Sequence, residues 1–307
     1  MKIALHLSDL DYINDYIDMG VSLFIAGGAY SAYSTLKLTD QQVEALKNTL
    51  NDLPLYIMVN GLYDEHELEP LFVHIDHLAK IKINGLLFQD FAVLQYVKEK
   101  GYEFDMMYAP MTLNTNPLTL ETLKALGISS AWLAKEIPLK EQMDIKSHVS
   151  MPVMIQGHGV QYMASSKRKL LENYREASHL SFSSDTAHLT IQPQGQDFLC
   201  HIYEDERGTT VYSANKLYML DLMNDIHIFD YLLIETMFMS ASEAIEVTSI
   251  YCDCLQAYEK GEYDHVVKEY LPMLRNISKP LDRGFIEDAT IYRLEDVKRR
   301  DLDENNQ

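Results

Sequence analysis

Between Val153 and Tyr174 the chain reads VMIQGHGVQYMASSKRKLLENY, and candidate chemistry is concentrated there. Val153–Gln156 is apolar enough for a buried strand, and Gly157, His158 and Gly159 read as the loop that ends it. A strand closing on a Gly/His turn, followed by clustered donors, is where α/β proteins commonly place their chemistry. His158 has the equipment of a general base, a metal ligand or a loop anchor. Without an H-x-H or H-E-x-x-H partner it is weak grounds for metal. Ser165, Ser166, Lys167, Arg168 and Lys169 follow. The serines fit no nucleophile spacing, and consecutive cations suit either an anion contact or a solvated face.

Other polar groups interrupt apolar runs where a strand should end. Asn60 closes LYIMVN, Glu136 follows WLAK, and Glu235 closes YLLIE. A polar side chain at the end of a buried strand must be satisfied or used. Glu136 with Glu235 would make an acid/base pair; the alternative for Asn60 and Glu136 is a bond to neighbouring backbone. His6, Gly27-Gly28 and Gln89-Asp90 occupy equivalent places. Gly27-Gly28 is a bare turn signal with no phosphate-loop pattern around it.

These residues meet only if their strands share one end. Strand-like runs at Ile3–Leu7, Ser22–Ala26, Leu55–Asn60, Gly85–Phe88, Asp105–Ala109, Ala131–Ala134 and Val153–Gln156 alternate with helical patterns. Those patterns are Tyr12–Met19, a helix capped by Thr39, Glu67–Lys80, Phe91–Lys100, Leu118–Leu126 and Leu139–Ser147. Tyr231–Glu235 supplies an eighth strand and Ser242–Glu259 its helix. The even pacing predicts an α/β fold, a TIM-like (β/α)8 barrel whose strand ends form one mouth. The rhythm breaks between Ser178 and Ile228, where Phe198–Tyr203 and Thr209–Tyr212 flank a Gly-containing turn as a hairpin. An insertion is therefore expected between strands 7 and 8. Residues 1–297 read as a single barrel with an inserted β-hairpin region at about 178–228, and 298–307 as a flexible acidic tail.

The 307 residues are 47% hydrophobic, enough for one large core. Forty-six acidic against 26 basic residues give a formal charge of −20, so much of the surface repels phosphate backbones and membrane headgroups. Tight autonomous RNA binding is disfavoured unless a partner supplies the cations. No apolar run approaches the ~20 residues that cross a bilayer, and Met1–His6 passes straight into a strand pattern without a signal-peptide core. A cytoplasmic location is expected. Cys200, Cys252 and Cys254 are too few for a disulfide scaffold. The last two form a C-x-C in a helical stretch, where positions two apart face different directions.

Trp132–Ile137, His158-Gly159, Ser166–Arg168 with Leu170–Tyr174, Ile202–Asp205, Ser213 to Leu217, and Pro280–Phe285 together resemble the peptidase U32 family, the collagenase-like proteases. The resemblance covers most of the chain and implies a TIM-like barrel. It implies either a peptidase, a hydrolase, or a component of tRNA hydroxylation forming 5-hydroxyuridine at the wobble position, whose members carry an iron–sulfur cluster. The chain departs from that pattern. The signature glutamate four residues before the histidine is Met154, and the cluster cysteines fall on Tyr162, Lys169 and Tyr218. Clusters of this kind need thiolates, so no iron–sulfur cluster is expected, while a divalent metal stays open.

The resulting expectation is a cluster-less paralogue in a hetero-oligomer with a cluster-bearing U32 relative. That relative would bring the tRNA, and the basic loop Lys167-Arg168-Lys169 would hold a small anion or one phosphate. Alternatives are a metal-dependent peptidase and a non-catalytic interaction subunit, the latter suggested by Tyr30, Tyr33, Met106, Met107, Tyr108 and Met111. Glu136, His158 and Glu235 are the expected catalytic groups. Asn60, Ser166, Lys167, Arg168 and Asn173 are the expected ligand contacts, and no metal ligand is assigned.

Overall fold

A computed structural model describes residues 1–180 and 188–287. Seven parallel strands come first: β1 (Lys2–His6), β2 (Leu23–Gly27), β3 (Leu55–Val59), β4 (Gly85–Phe88), β5 (Asp105–Tyr108), β6 (Ser130–Trp132) and β7 (Val153–Ser166). Between them lie α1 (Ile13–Asp18), α2 (Asp40–Leu50), α3 (Glu65–Lys80), α4 (Phe91–Lys100), α5 (Pro117–Ala125) and α6 (Leu139–His148). Each strand pairs in parallel with the next. After α7 (Leu170–Ser178), β8 (Thr190–Ile191), β9 (Cys200–Asp205), β10 (Gly208–Tyr218) and the short α8 (Met223–Ile226), β11 (Tyr231–Glu235) pairs with both β7 and β1. That double pairing closes the eight-stranded barrel that the pacing predicts. α9 (Ala241–Lys260), α10 (Tyr263–Ile277) and β12 (Leu281–Asp282) finish the described fold.

Alternation along the strands sorts side chains into two layers. Ala4, Leu23, Ile25, Met58, Leu87, Met107, Met154 and Leu233 fill the barrel interior. Ile3, Leu5, Phe24, Ile57, Leu86 and Val153 face outward, into the larger core beneath the helices. Strands buried on both faces explain the continuous apolar runs of β2 and β3. The helices begin where local chemistry specifies. Thr39 and Gln42 form a reciprocal capping box at α2, a device worth about 1 kcal/mol. Gly101 ends α4 in the left-handed conformation.

Two local expectations need correction. Gly157–Gly159 is not the loop that ends β7. The strand runs for 14 residues, from Val153 to Ser166. Gly157 is a bulge, because β11 pairs Leu233 with Gln156 and Ile234 with His158. Beyond it, β10 supplies an antiparallel partner from Tyr218 opposite His158 to Thr209 opposite Ser166. A partner so distant in sequence leaves no local signal. The second correction concerns β6, which stops at Trp132, so Lys135 and Glu136 lie in the turn before α6 rather than at a strand end. α10, with Pro272 inside it, had no counterpart among the expected elements. The hairpin of β9 and β10 stands between the seventh and eighth barrel strands, as expected. Residues 298–307 lie outside the described residues.

Candidate active site

At the barrel mouth, His6 and Glu235 are register partners at the ends of β1 and β11. Their parity with Ala4 and Leu233 turns both side chains inward. His6 Nδ1 lies 2.7 Å from Glu235 Oε2, and the Met237 amide donates to Glu235 Oε1 at 2.9 Å. On the far side of the ring, His6 Nε2 lies 3.1 Å from Ser34 Oγ, which is also 3.0 Å from the Leu36 carbonyl. Ser34 has a single proton to give. When its hydroxyl serves Leu36, His6 Nε2 must be the donor to Ser34. When the hydroxyl turns to Nε2, that nitrogen is the acceptor. Rotation of one O–H bond thus lets the ring nitrogen switch between donor and acceptor, which suits the dyad to acid/base work.

Gly27 makes this contact possible. A Cβ there would sit 2.1 Å from the Leu36 carbonyl oxygen and 2.5 Å from Ser34 Oγ. The Gly27-Gly28 turn signal therefore marks a close approach of two backbones.

Above the dyad is a cavity of ≈ 30 Å³ whose walls include Tyr33, Trp132, Lys135, Tyr162, Tyr212 and Glu235. That is room for one or two waters, or for the oxygen-bearing end of a larger molecule. Lys135 Nζ sits 4.0 Å from the centroid of the Tyr162 ring. Burial pushes its amine down to about 7, with the Glu136 charge opposing the shift. Tyr212 is only 3% exposed, and its hydroxyl has no hydrogen-bond partner among the described residues. Burial first, then the negative groups around it, drive its phenol well above the ordinary range. Ser165 Oγ ties the rim together, 2.9 Å from the Tyr162 hydroxyl and 3.4 Å from that of Tyr33. Tyr33 and Met111, both at the cavity, have φ of +57° and +63°. Such left-handed backbone in bulky residues is held by its surroundings, a pattern that clusters at functional sites.

The expected residues divide between this mouth and other places. Glu235 is in it. Asn60 is fully buried at the end of β3, where Oδ1 accepts the Ala32 amide at 2.9 Å and so fastens the loop carrying Tyr33. Its Nδ2 has no partner among the described residues. Glu136 is half-buried beside Lys135, and its Oε2 likewise lacks a partner. His158 is fully buried and faces away from the cavity, toward α9. Its Nε2 is 3.0 Å from Ser278 Oγ, and Ser278 in turn donates to Glu243 Oε1 at 2.6 Å. Because that hydroxyl proton is committed, Nε2 must be the donor to Ser278. Burial and the nearby Lys216 ammonium push the ring down to about 3, so it is neutral in use.

The basic loop is largely self-neutralised. Lys167 pairs with Asp64 at 2.8 Å, and Lys169 lies 3.7 Å from Glu172. Arg168 and Asn173 are exposed, and Ser166 Oγ accepts the Arg168 amide at 3.1 Å. The N-terminus of α7 is filled by the Glu204 carboxylate, which accepts the Leu171 and Glu172 amides at 2.7 and 2.9 Å. An incoming anion would have to displace it. On the other face of this insertion, Leu170, Leu171, Tyr174, Ile191, Ile202 and Val211 line an apolar groove of ≈ 640 Å³.

The profile of peptidase family U32 matches residues 11–294. The chain belongs to this family. It is 24% identical over 249 residues to tRNA hydroxylation protein P2 of Bacillus subtilis strain 168, covering 78% of this chain and 81% of that protein. Among solved structures it is similar to the U32 peptidase Mk0906, with a TM-score of 0.46, 14% identity, and 76% and 92% of the two chains covered. Phosphoribosyl anthranilate isomerase from Thermus thermophilus aligns with a TM-score of 0.46 at 8% identity, over 83% and 100% of the two chains.

Against the U32 pattern, this member's thiols do not form a ligand set for a cluster. Cys200 lies on β9, while Cys252 and Cys254 are buried on α9, where burial pushes both thiols up to about 12. The positions expected to hold cluster cysteines do not converge either. Tyr162 stands at the mouth, and Lys169 is exposed beside α7. Tyr218 is buried with Arg275 and Arg283 against its ring. Among the described residues no group of three or more His, Cys, Asp or Glu is placed to hold a metal ion. Met154, at the signature glutamate's position, is fully buried in the barrel interior.

Sequence reasoning passed over Lys135, Ser34 and Tyr212 as site residues. Lys135 is one residue from the chosen Glu136, but only the early end of β6 reveals which of the two reaches the mouth. Tyr212 is placed by its pairing with Tyr162, which no local pattern announces.

Proposed function

We propose that this U32 member is a component of tRNA wobble-uridine hydroxylation, acting in the cytoplasm beside a cluster-bearing relative of its own family. The similarity to tRNA hydroxylation protein P2 over most of both chains carries this reading. Three physical features support it. The formal charge of −20 and the carboxylate-paired Lys167 and Lys169 leave little with which to hold RNA alone. The thiols are dispersed, so redox chemistry of a cluster falls to another subunit. The apolar groove beside α7 suits a protein partner. Within the mouth, Glu235 and His6 would move protons while Lys135 and Tyr212 hold a ligand oxygen. Among the described residues no helix is long and apolar enough to cross a membrane.

The test is tRNA mass spectrometry on a strain lacking the chain. Wobble 5-hydroxyuridine should fall and be restored by the wild type. Glu235→Gln and His6→Ala should fail to restore it, while Lys167→Ala/Arg168→Ala should restore it in part. Unchanged modification in the deletion strain, with no redundant relative present, would overturn the reading.

One observation favours a hydrolytic alternative: the His6–Glu235 dyad borders a water-sized cavity. Wild-type protein that cleaves gelatin or casein, with loss of cleavage in Glu235→Gln, would establish it.

A further inference from the structure

Among the described residues no carboxylate lies within ion-pair distance of the Nζ of the half-buried Lys135, whereas the buried Lys216 has Glu243 at 2.6 Å and the half-buried Lys146 has Asp230 at 2.6 Å. Its surroundings in the cavity are aromatic, with Tyr162 beneath it and Tyr33, Trp132 and Tyr212 in the walls. The cavity also contains an unpartnered buried hydroxyl, that of Tyr212, and the carboxylate of the His6–Glu235 dyad. An amine in apolar walls, a free O–H donor and a proton-carrying dyad around a space of ≈ 30 Å³ are what reversible addition of an amine to a carbonyl requires.

We propose that Lys135 is a nucleophilic amine that captures the carbonyl group of a small aldehyde or ketone as an imine. This activity goes beyond the hydroxylation reading and does not depend on it. In the reaction, the Lys135 nitrogen lone pair attacks the carbonyl carbon. The C=O π electrons move to oxygen, which Tyr212 stabilises by hydrogen bonding. One nitrogen proton passes to that oxygen, giving a carbinolamine. The His6–Glu235 dyad delivers a second proton to the hydroxyl, water leaves, and the nitrogen lone pair forms the C=N bond. The dyad recovers its proton when the iminium loses one or when water adds back. No electrons are transferred, and no co-reactant beyond the carbonyl compound is needed.

The amine must be free to attack, and the groups facing it act in opposite directions. Desolvation favours the free base, while the Glu136 charge and the Tyr162 ring face favour the ammonium. The net position near 7 leaves about half of Lys135 unprotonated at neutral pH. An ordinary surface lysine, at about 10.4, is free only to the order of one part in a thousand. Discrimination by protonation state alone is therefore on the order of a thousandfold.

The experiment uses the purified full chain, propionaldehyde at low concentration and sodium cyanoborohydride, with peptide mass spectrometry to locate the reduced adduct. At pH 7 we expect Lys135 to be alkylated at least a hundredfold faster than the exposed Lys140, at a rate half-maximal near pH 7. Labelling of Lys140 in the same digest is the internal standard for reagent activity. Tyr212→Phe keeps the ring and removes only an unbonded hydroxyl, so it should fold normally and slow labelling of Lys135 about tenfold. Lys135→Arg should remove the fast adduct while leaving Lys140 labelling unchanged. Labelling of Lys135 no faster than Lys140, or a rate that rises only above pH 9, would overturn the proposal. So would an unchanged rate in Tyr212→Phe, since the hydroxyl would then have no part in the addition. No tRNA is present, so failure here leaves the hydroxylation reading standing, and the converse also holds.

Discussion

Two buried histidines sit on the strands that flank β11, His6 at the end of β1 and His158 within β7, and they do different work. His6, on β1, points inward to a carboxylate and a rotatable hydroxyl, with a cavity beyond. His158, on β7, is carried outward after the bulge at Gly157 and sits in a closed chain of bonds. That chain runs from His158 to Ser278, then Glu243, where the Lys216 ammonium also binds. The one Ser278 proton and the Lys216 ammonium are both committed to Glu243. The mouth, by contrast, holds among the described residues a lysine with no carboxylate at ion-pair distance, a phenol with no hydrogen-bond partner and a serine proton with two destinations. The residue type is the same in both places. Which face of the strand it occupies, and whether its partners have spare capacity, decides between structure and chemistry.

The sharpest way to break this contrast is to damage the wall and watch the mouth. Glu243→Ala strips the Lys216 ammonium, whose side chain is only 8% exposed, of its carboxylate. Urea denaturation should show a loss of roughly 3–5 kcal/mol, the cost of an unpaired buried charge. Labelling of Lys135 per folded molecule should stay near the wild-type rate. A loss below about 1 kcal/mol would mean that the wall is not structural.

Acid should find His158 next. The unfolded chain binds a proton at this histidine below about 6.5, whereas the folded chain holds it neutral down to about 3. Stability is therefore lost as pH falls through that window, on the order of 3 kcal/mol by pH 4. His158→Gln should be less stable at pH 7 and lose less than the wild type between pH 6.5 and 4. Identical slopes in the two proteins would show that His158 already takes up its proton in the folded state.

Gly27→Ala tests the mouth from beneath. The new Cβ would press on the Leu36 carbonyl and Ser34, costing about 2 kcal/mol and moving Ser34 off His6. Thermal denaturation reads the first effect, and loss of 5-hydroxyuridine rescue at permissive temperature reads the second. The smallest expected effect is a gain. Lys135→Met removes a poorly solvated amine and should stabilise the fold by about 1 kcal/mol at pH 7. Between about 7 and 10.5 the unfolded chain holds a proton that folded Lys135 lacks, so wild-type stability rises with pH there. The advantage of Lys135→Met should accordingly shrink on going from pH 7 to pH 10.

The barrel was legible because its evidence is local. Val-, Ile- and Leu-rich strands, Thr39 at a helix start and Gly101 at a helix end declare themselves within a few residues. Glu235 was legible for the same reason, as a carboxylate closing an apolar strand. The mouth as a whole was not. Gly157 and Gly159 look like a loop, yet both are glycine because neighbouring chains approach. A Cβ at Gly159 would lie 2.1 Å from the Glu235 carbonyl oxygen, and its φ is +103°. The partner that keeps β7 extended, β10, is distant in sequence, so His158 was assigned to the wrong side of the strand. Lys167–Lys169 drew attention as a run of charge, while Asp64, which pairs with the first of them, belongs to the N-cap of α3. Single isolated residues such as Lys135 carry no pattern at all until the fold encloses them.

β7 has one more consequence. It belongs to the barrel up to the bulge and to the inserted sheet after it, as one strand from Val153 to Ser166 whose pairing shifts register at Gly157 and again on β10 to either side of Tyr212. At about 3.3 Å per residue it spans the distance from the barrel interior to the inserted sheet. Val160 and Tyr162, which form part of the mouth, and Ala164 to Ser166, beside the apolar groove, therefore lie on one backbone. The groove and the mouth are two stations on a single strand, joined by covalent chain rather than by a contact between separate elements.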